Sequence, residues 1–80
     1  MQEEDLDQQT LKAKNAIFQF IAGNGGIMSM KEAHDFSELN FGVGHKRFSD
    51  LMEFCVDNEY FAFNPDDRVI TLLDKARNAL

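Results

Sequence analysis

The sequence predicts a mainly α-helical fold carrying a small β-hairpin, in the order helix, short strand, helix, turn, helix, hairpin, short closing helix. Three observations carry that expectation. Within residues 42–63, Phe48, Leu51, Met52 and Cys55 fall at i, i+3, i+4 and i+7, which at about 100° per residue puts them on one face of a helix. The clusters Gly23-Asn24-Gly25-Gly26 and Gly42-Val43-Gly44 break the chain at helix-length intervals. Tyr60–Phe63 and Arg68–Leu72 are short extended runs around Asn64-Pro65-Asp66-Asp67, a strong turn signal, so 60–72 reads as a hairpin.

Eighty residues make one small domain. At this size only about 60% of the unfolded surface can be buried, so a lone monomer is marginal and a homodimer is plausible. Eight phenylalanines supply dense packing material. The single cysteine cannot form an internal disulfide, and its place on an apolar helix face reads as a core thiol in a reducing cytoplasm. MQEEDLD is acidic, unlike the basic head of a signal peptide. The longest uncharged run, Asn15 to Met30, has 16 residues and falls short of the about 20 apolar residues a membrane span needs. Net charge is −6, unevenly spread: residues 1–10 form an acidic N-terminal segment of −4, and residues 11–80, the expected domain, hold eight bases and ten acids. That balance lacks the basic footprint of a strong nucleic-acid binder.

Taken in order, the first helix begins near Asp5 or Asp7, whose carboxylates suit its positive end; Asp5 and Gln8 have capping-box spacing. Its stripe is Leu11, Ile17, Phe18 and Ile21, with Ala13 and Ala22 filling. Ile27-Met28 follows as a brief strand. Ser29-Met30-Lys31-Glu32 is a capping box that opens the second helix, with Met30, Ala33 and Ser37 on a close-packing side and an end near Leu39-Asn40. A short helix, a glycine-bearing turn and a longer amphipathic helix form a helix-turn-helix unit. On the third helix the outward arc is Lys46, Asp50, Glu53 and Asp57, flanked by Arg47 and Ser49; Phe54 also falls on the exposed side, and His45 on the core margin. Asn58 is the expected left-handed stop. Asp74 to Leu80 supplies a closing helical turn or two.

This order resembles the winged helix-turn-helix superfamily, and the wording is similar too. Ser29-Met30-Lys31-Glu32-Ala33 looks like the start of the support helix, and Arg47-Phe48-Ser49-Asp50-Leu51-Met52-Glu53-Phe54-Cys55 like the third helix. Asp57-Asn58-Glu59-Tyr60-Phe61 is similar to the passage into the wing, and residues 69–80 to its return strand and the closing "L-T-x-x-G-x-x-x-L". Asn58 and Ala76 stand where many relatives have glycine, and Leu73 where many have threonine. The wing tip is acidic at Asp66-Asp67, with one base, Arg68, where DNA-contacting wings carry several.

The resemblance implies a small prokaryotic or phage transcription regulator that places the start of its third helix in the major groove of double-stranded DNA. His45, Lys46, Arg47, Ser49 and Asp50 are then the DNA-contacting candidates. Lys46 and Arg47 can donate to guanine or phosphate, and Asp50 can accept from cytosine. Lys31 and Arg68 flank them, and Lys12 and Lys14 are further phosphate candidates. The rival expectation is a protein-interaction module, through dimerisation or a partner-binding surface, including an acidic DNA-mimicking inhibitor; Phe54, Tyr60 and Phe63 are its anchor candidates. A positive patch around Lys46, Arg47 and Lys12 favours DNA, and an acid-clad face with exposed rings favours a protein.

No enzyme is expected. Gly42-Val43-Gly44-His45-Lys46 lacks the spacing of a phosphate loop, and Arg47 stands where a dinucleotide motif needs its third glycine. Cys55, His34 and His45 have neither Cys-x-x-Cys nor metal-ligand spacing, so no metal or cofactor is expected.

Overall fold

The computed structural model of the chain describes residues 6–80. Local signals close both ends of most elements. Asp7 accepts the Thr10 amide at 2.8 Å and starts helix α1 (Gln8–Gly23), which stops at Asn24; the Asp5 cap lies outside the described residues. Gly26 follows with φ +86, a backbone angle that side chains resist, and its carbonyl accepts the Leu72 amide. Strand β1 (Ile27–Ser29) leads at once into α2 (Met30–Phe41), because the Ser29 hydroxyl accepts the Glu32 amide at 3.1 Å. Gly42, at φ +64, ends α2 as glycine readily does.

Helix α3 (His45–Asp57) buries Phe48, Leu51, Met52 and Cys55, as their spacing predicts. Two expectations about it are corrected. Phe54 is 3% exposed, because α3 is covered on its flank as well as its centre: Lys14 and Tyr60 close over that ring. Asn58 does not take the left-handed position. Its amide and side chain both donate to the Phe54 carbonyl, so it completes the last helical turn and Glu59 turns left-handed at φ 62. Glu59 N–H then bonds Val56 O and Tyr60 N–H bonds Cys55 O, the paired Schellman closure.

Strands β2 (Phe61–Asn64) and β3 (Val69–Leu72) form the hairpin. At its tip Asn64 Oδ1 accepts the Asp66 amide, so the side chain that closes the turn is Asn64, and Arg68 is left-handed. The sheet is antiparallel in the order β1-β3-β2, with Met28, Ile70 and Phe63 in one row and Ile27, Thr71 and Ala62 in the next. Met28, Ile70, Phe61 and Leu72 face the core, while Ile27 and Ala62 face out. Helix α4 (Asp74–Asn78) closes the body through buried Ala76.

The core gathers Ile17 and Ile21 from α1, Ala33 from α2, Leu51 and Cys55 from α3, and Phe61 and Ile70 from the sheet. It reaches back to Leu6 and Thr10, inside the segment that reads as an acidic tail. The result is a mainly helical body with a small three-stranded sheet. Among the described residues no helix is long and apolar enough to cross a membrane.

Candidate functional site

Two surfaces stand out. At the front, α3 begins at Gly44, which supplies no side-chain cap, and its first turn carries no acid, only His45, Lys46 and Arg47. Beside it a groove of about 790 Å³ opens between the starts of α2 and α3 and the hairpin tip. Met30, Phe48 and Met52 are its apolar lining, and Lys31, His34, His45, Ser49 and Arg68, with Ser29 and Asp67, its polar lining. The groove thus collects four of the expected DNA-contacting residues, Lys31, His45, Ser49 and Arg68. Lys46, Arg47 and Asp50 do not line it.

The cations at this front are answered by carboxylates. Lys31 Nζ lies 2.7 Å from Asp35, Lys46 Nζ 3.5 Å from Asp50, and Arg47 Nε 3.2 Å from Asp7. The Asp35 hydrogen bond raises the Lys31 pKa and, in return, Lys31 lowers that of Asp35. Asp7 is lowered first by hydrogen bonds from Thr10 and then by the Arg47 charge. Among the described residues only Arg68, of the four cations expected at DNA, has no ion pair, and Asp67 stands beside it in the groove lining. Surface pairs of this kind are individually weak, and each sets a carboxylate beside a cation that would have to meet phosphate.

Lys14, expected as a phosphate contact, is instead 7% exposed, with Nζ 5.7–5.9 Å from the ring centres of Phe18, Phe54 and Tyr60. His45 is exposed rather than marginal to the core, and its ring meets His34 edge-on at 5.5 Å. Among the described residues His34 Nε2 is buried without a hydrogen-bond partner, 3.8 Å from Glu38. Cys55 is an enclosed thiol whose pKa burial pushes up to about 12, with Lys14 opposing. Among the described residues no group of three His, Cys, Asp or Glu is placed to hold a metal.

The second surface lies across α1 and α2. Phe20 and Phe36 stack at 4.3 Å between centres and 20° between planes, Phe36 also meets Phe41 at 6.2 Å, and Leu39 is 86% exposed. Phe20, Phe36, Leu39, Glu32, Asp35 and Asn40 line a cleft of about 290 Å³. The anchor candidates expected elsewhere fare differently. Phe54 is core, and Tyr60 is half-buried against Phe18, with Lys75 Nζ 4.9 Å from its ring centre. Phe63 alone of the three is exposed.

Phe20, Phe36 and Leu39 were not singled out by the sequence pattern, although a signal was there. Phe36 and Leu39 are three apart and lie off the Met30, Ala33, Ser37 side of α2, and Phe20 lies off the stripe of α1.

Comparison with protein-family models, with curated proteins and with solved structures gives no match.

Proposed function

We propose that this chain is a winged-helix module that docks a protein partner. The element order α1-β1-α2-α3-β2-β3-α4, with strand order β1-β3-β2, supports the winged-helix assignment. The docking reading is carried by one observation: Leu39, almost fully exposed, sits beside the stacked Phe20 and Phe36. An exposed leucine beside stacked rings is an apolar grouping that a docking partner would cover. The paired cations at the front support the same choice, since an acid-answered helix start is a poor phosphate reader. The lone, buried Cys55 suits a cytoplasmic setting.

A photo-crosslinking residue placed at position 39, and in parallel at position 46, tests this inside cells. The docking reading expects discrete protein adducts from position 39. Adducts to DNA from position 46, with none from position 39, would overturn it.

DNA binding is the second reading, favoured by the groove that brings Lys31, His45, Ser49 and Arg68 together. Selection of duplex sites from a random pool at low and high salt measures it. If it operates, Lys46→Ala with Arg47→Ala reduces the salt slope by about one unit per lost phosphate contact.

A further inference from the structure

Resting on the docking reading above, we infer that the α1–α2 cleft receives an arginine carried on the apolar face of a partner's amphipathic helix. Glu32, Phe36 and Leu39 fall at i, i+4 and i+7, so one stripe of α2 presents a carboxylate, a ring and an aliphatic side chain in line. Asp35 adds a second carboxylate to the lining, and Phe20 stacks on Phe36 to complete the aromatic wall.

The charges favour a cationic occupant. Helix α2 holds three acids and one base, Lys31, which is bound to Asp35. Among the described residues no cation lies within ion-pair distance of Glu32; Lys31 feels its charge but is hydrogen-bonded to Asp35, so two carboxylates share one cation beside the rings. A second copy of this chain would bring the same acidic stripe against itself, a repulsive arrangement. A basic partner meets no such barrier. Of the two basic side chains, arginine matches better, because its planar guanidinium stacks on aromatic faces while its N–H fork reaches carboxylates.

The cleft, about 290 Å³, is shallow and open to solvent, a surface against which one side chain can lie rather than an enclosed small-molecule site. Leu39 projects beside the cleft and is positioned to meet an apolar residue one turn along the partner helix, the usual helix-on-groove spacing.

The test uses the full chain and a dye-labelled synthetic helix bearing leucines and arginines one turn apart, read by fluorescence anisotropy at low and high salt. Saturable binding is expected, weakened about three- to tenfold by Glu32→Gln and by an Arg→Gln peptide, and lost with Leu39→Ser. Amide shifts should concentrate at Phe20 and residues 32–40. Circular dichroism of Leu39→Ser checks that the exposed change leaves the fold intact. Equal binding of a peptide with glutamates in place of the arginines, or no salt dependence, overturns the arginine inference and leaves protein docking standing. So does a self-associating protein, seen by sedimentation, whose dimer Leu39→Ser dissolves. No peptide binding overturns the arginine inference whatever position 39 yields, and if a monomer also gives no adducts from position 39 the docking reading falls with it.

Discussion

Helix α2 contributes to both exposed surfaces, and they differ in how their side chains are satisfied. At the front, Lys31 finds Asp35 one turn along its own helix, and Lys46 finds Asp50 in the same way on α3. On the α1–α2 surface, Phe36 and Leu39 have no such local remedy. A charge can be answered by a neighbour four residues away while both remain in water. An apolar side chain is relieved only by removal from water, which needs another element or another molecule. Phe36 gets part of that from Phe20, and Leu39 gets almost none. The surface whose charges are paired is therefore the quieter of the two, and the one with exposed apolar side chains is the more demanding.

The sharpest way to break this comparison sets two apolar residues of opposite expectation side by side. Phe54, which helical periodicity places outside, should cost about 3–5 kcal/mol as Phe54→Ala, because it is packed under Lys14 and Tyr60. That is a large share of the stability of a domain of this size. Leu39→Ala should change unfolding free energy by less than about 0.5 kcal/mol. Urea unfolding of the two variants measures both. A large loss at Leu39 would mean that it serves the fold, and the docking surface would disappear with it.

The enclosed thiol gives the next effect. Burial raises the Cys55 pKa from 9.0 to about 12, so the folded state holds this proton more tightly than the unfolded chain. Its contribution is fully present below pH 9 and is lost as pH rises towards 12. Thiol labelling of the native protein should therefore track global unfolding, and Cys55→Ala should flatten the alkaline fall in stability. Rapid labelling under native conditions would show that the body beneath the front opens locally.

What could be read beforehand was whatever depends on neighbours in the chain. Asp7, Ser29 and the 64–67 turn act within three residues, and the α3 stripe needs only the helical period. The front groove was partly legible, since Lys31, His45, Ser49 and Arg68 were all named, though their pairing state was not. Phe54 and Lys14 escaped because a wheel shows which way a side chain points and not which element arrives to cover it. Asn58 escaped because its own side chain could bond the helix, handing the left-handed angle to Glu59. The α1–α2 cleft needs two helices in register, and nothing within either helix specifies that.

A smaller loss tests the local signals themselves. Ser29→Ala removes the oxygen that receives the Glu32 amide and should cost about 1 kcal/mol, detectable as a lower urea midpoint with an unchanged slope. Ser29 also lines the front groove, so the same variant shows whether that wall is rigid enough to keep its shape without the cap.

The smallest expected effect concerns the front cations. Lys46→Gln should leave the melting temperature unchanged, since the pair with Asp50 is solvated and lies within one helix. Arg47→Gln is the more informative change, because Asp7 is both the cap of α1 and the partner of Arg47. Thr10 is the main reason the Asp7 pKa is low and Arg47 a lesser one, so the variant keeps the cap and raises that pKa only partway. A lowered carboxyl stabilises above its unfolded value of 3.8 and loses that contribution as pH falls through its folded value. Arg47→Gln should thus cost a little stability at neutral pH, a difference that fades as pH falls and Asp7 is protonated in both proteins, as pH titrations of the two would record. A fall of several degrees at neutral pH would mean instead that α1 and α3 depend on this pair. The front would then be a structural seam, with Arg47 unable to turn outward to a ligand.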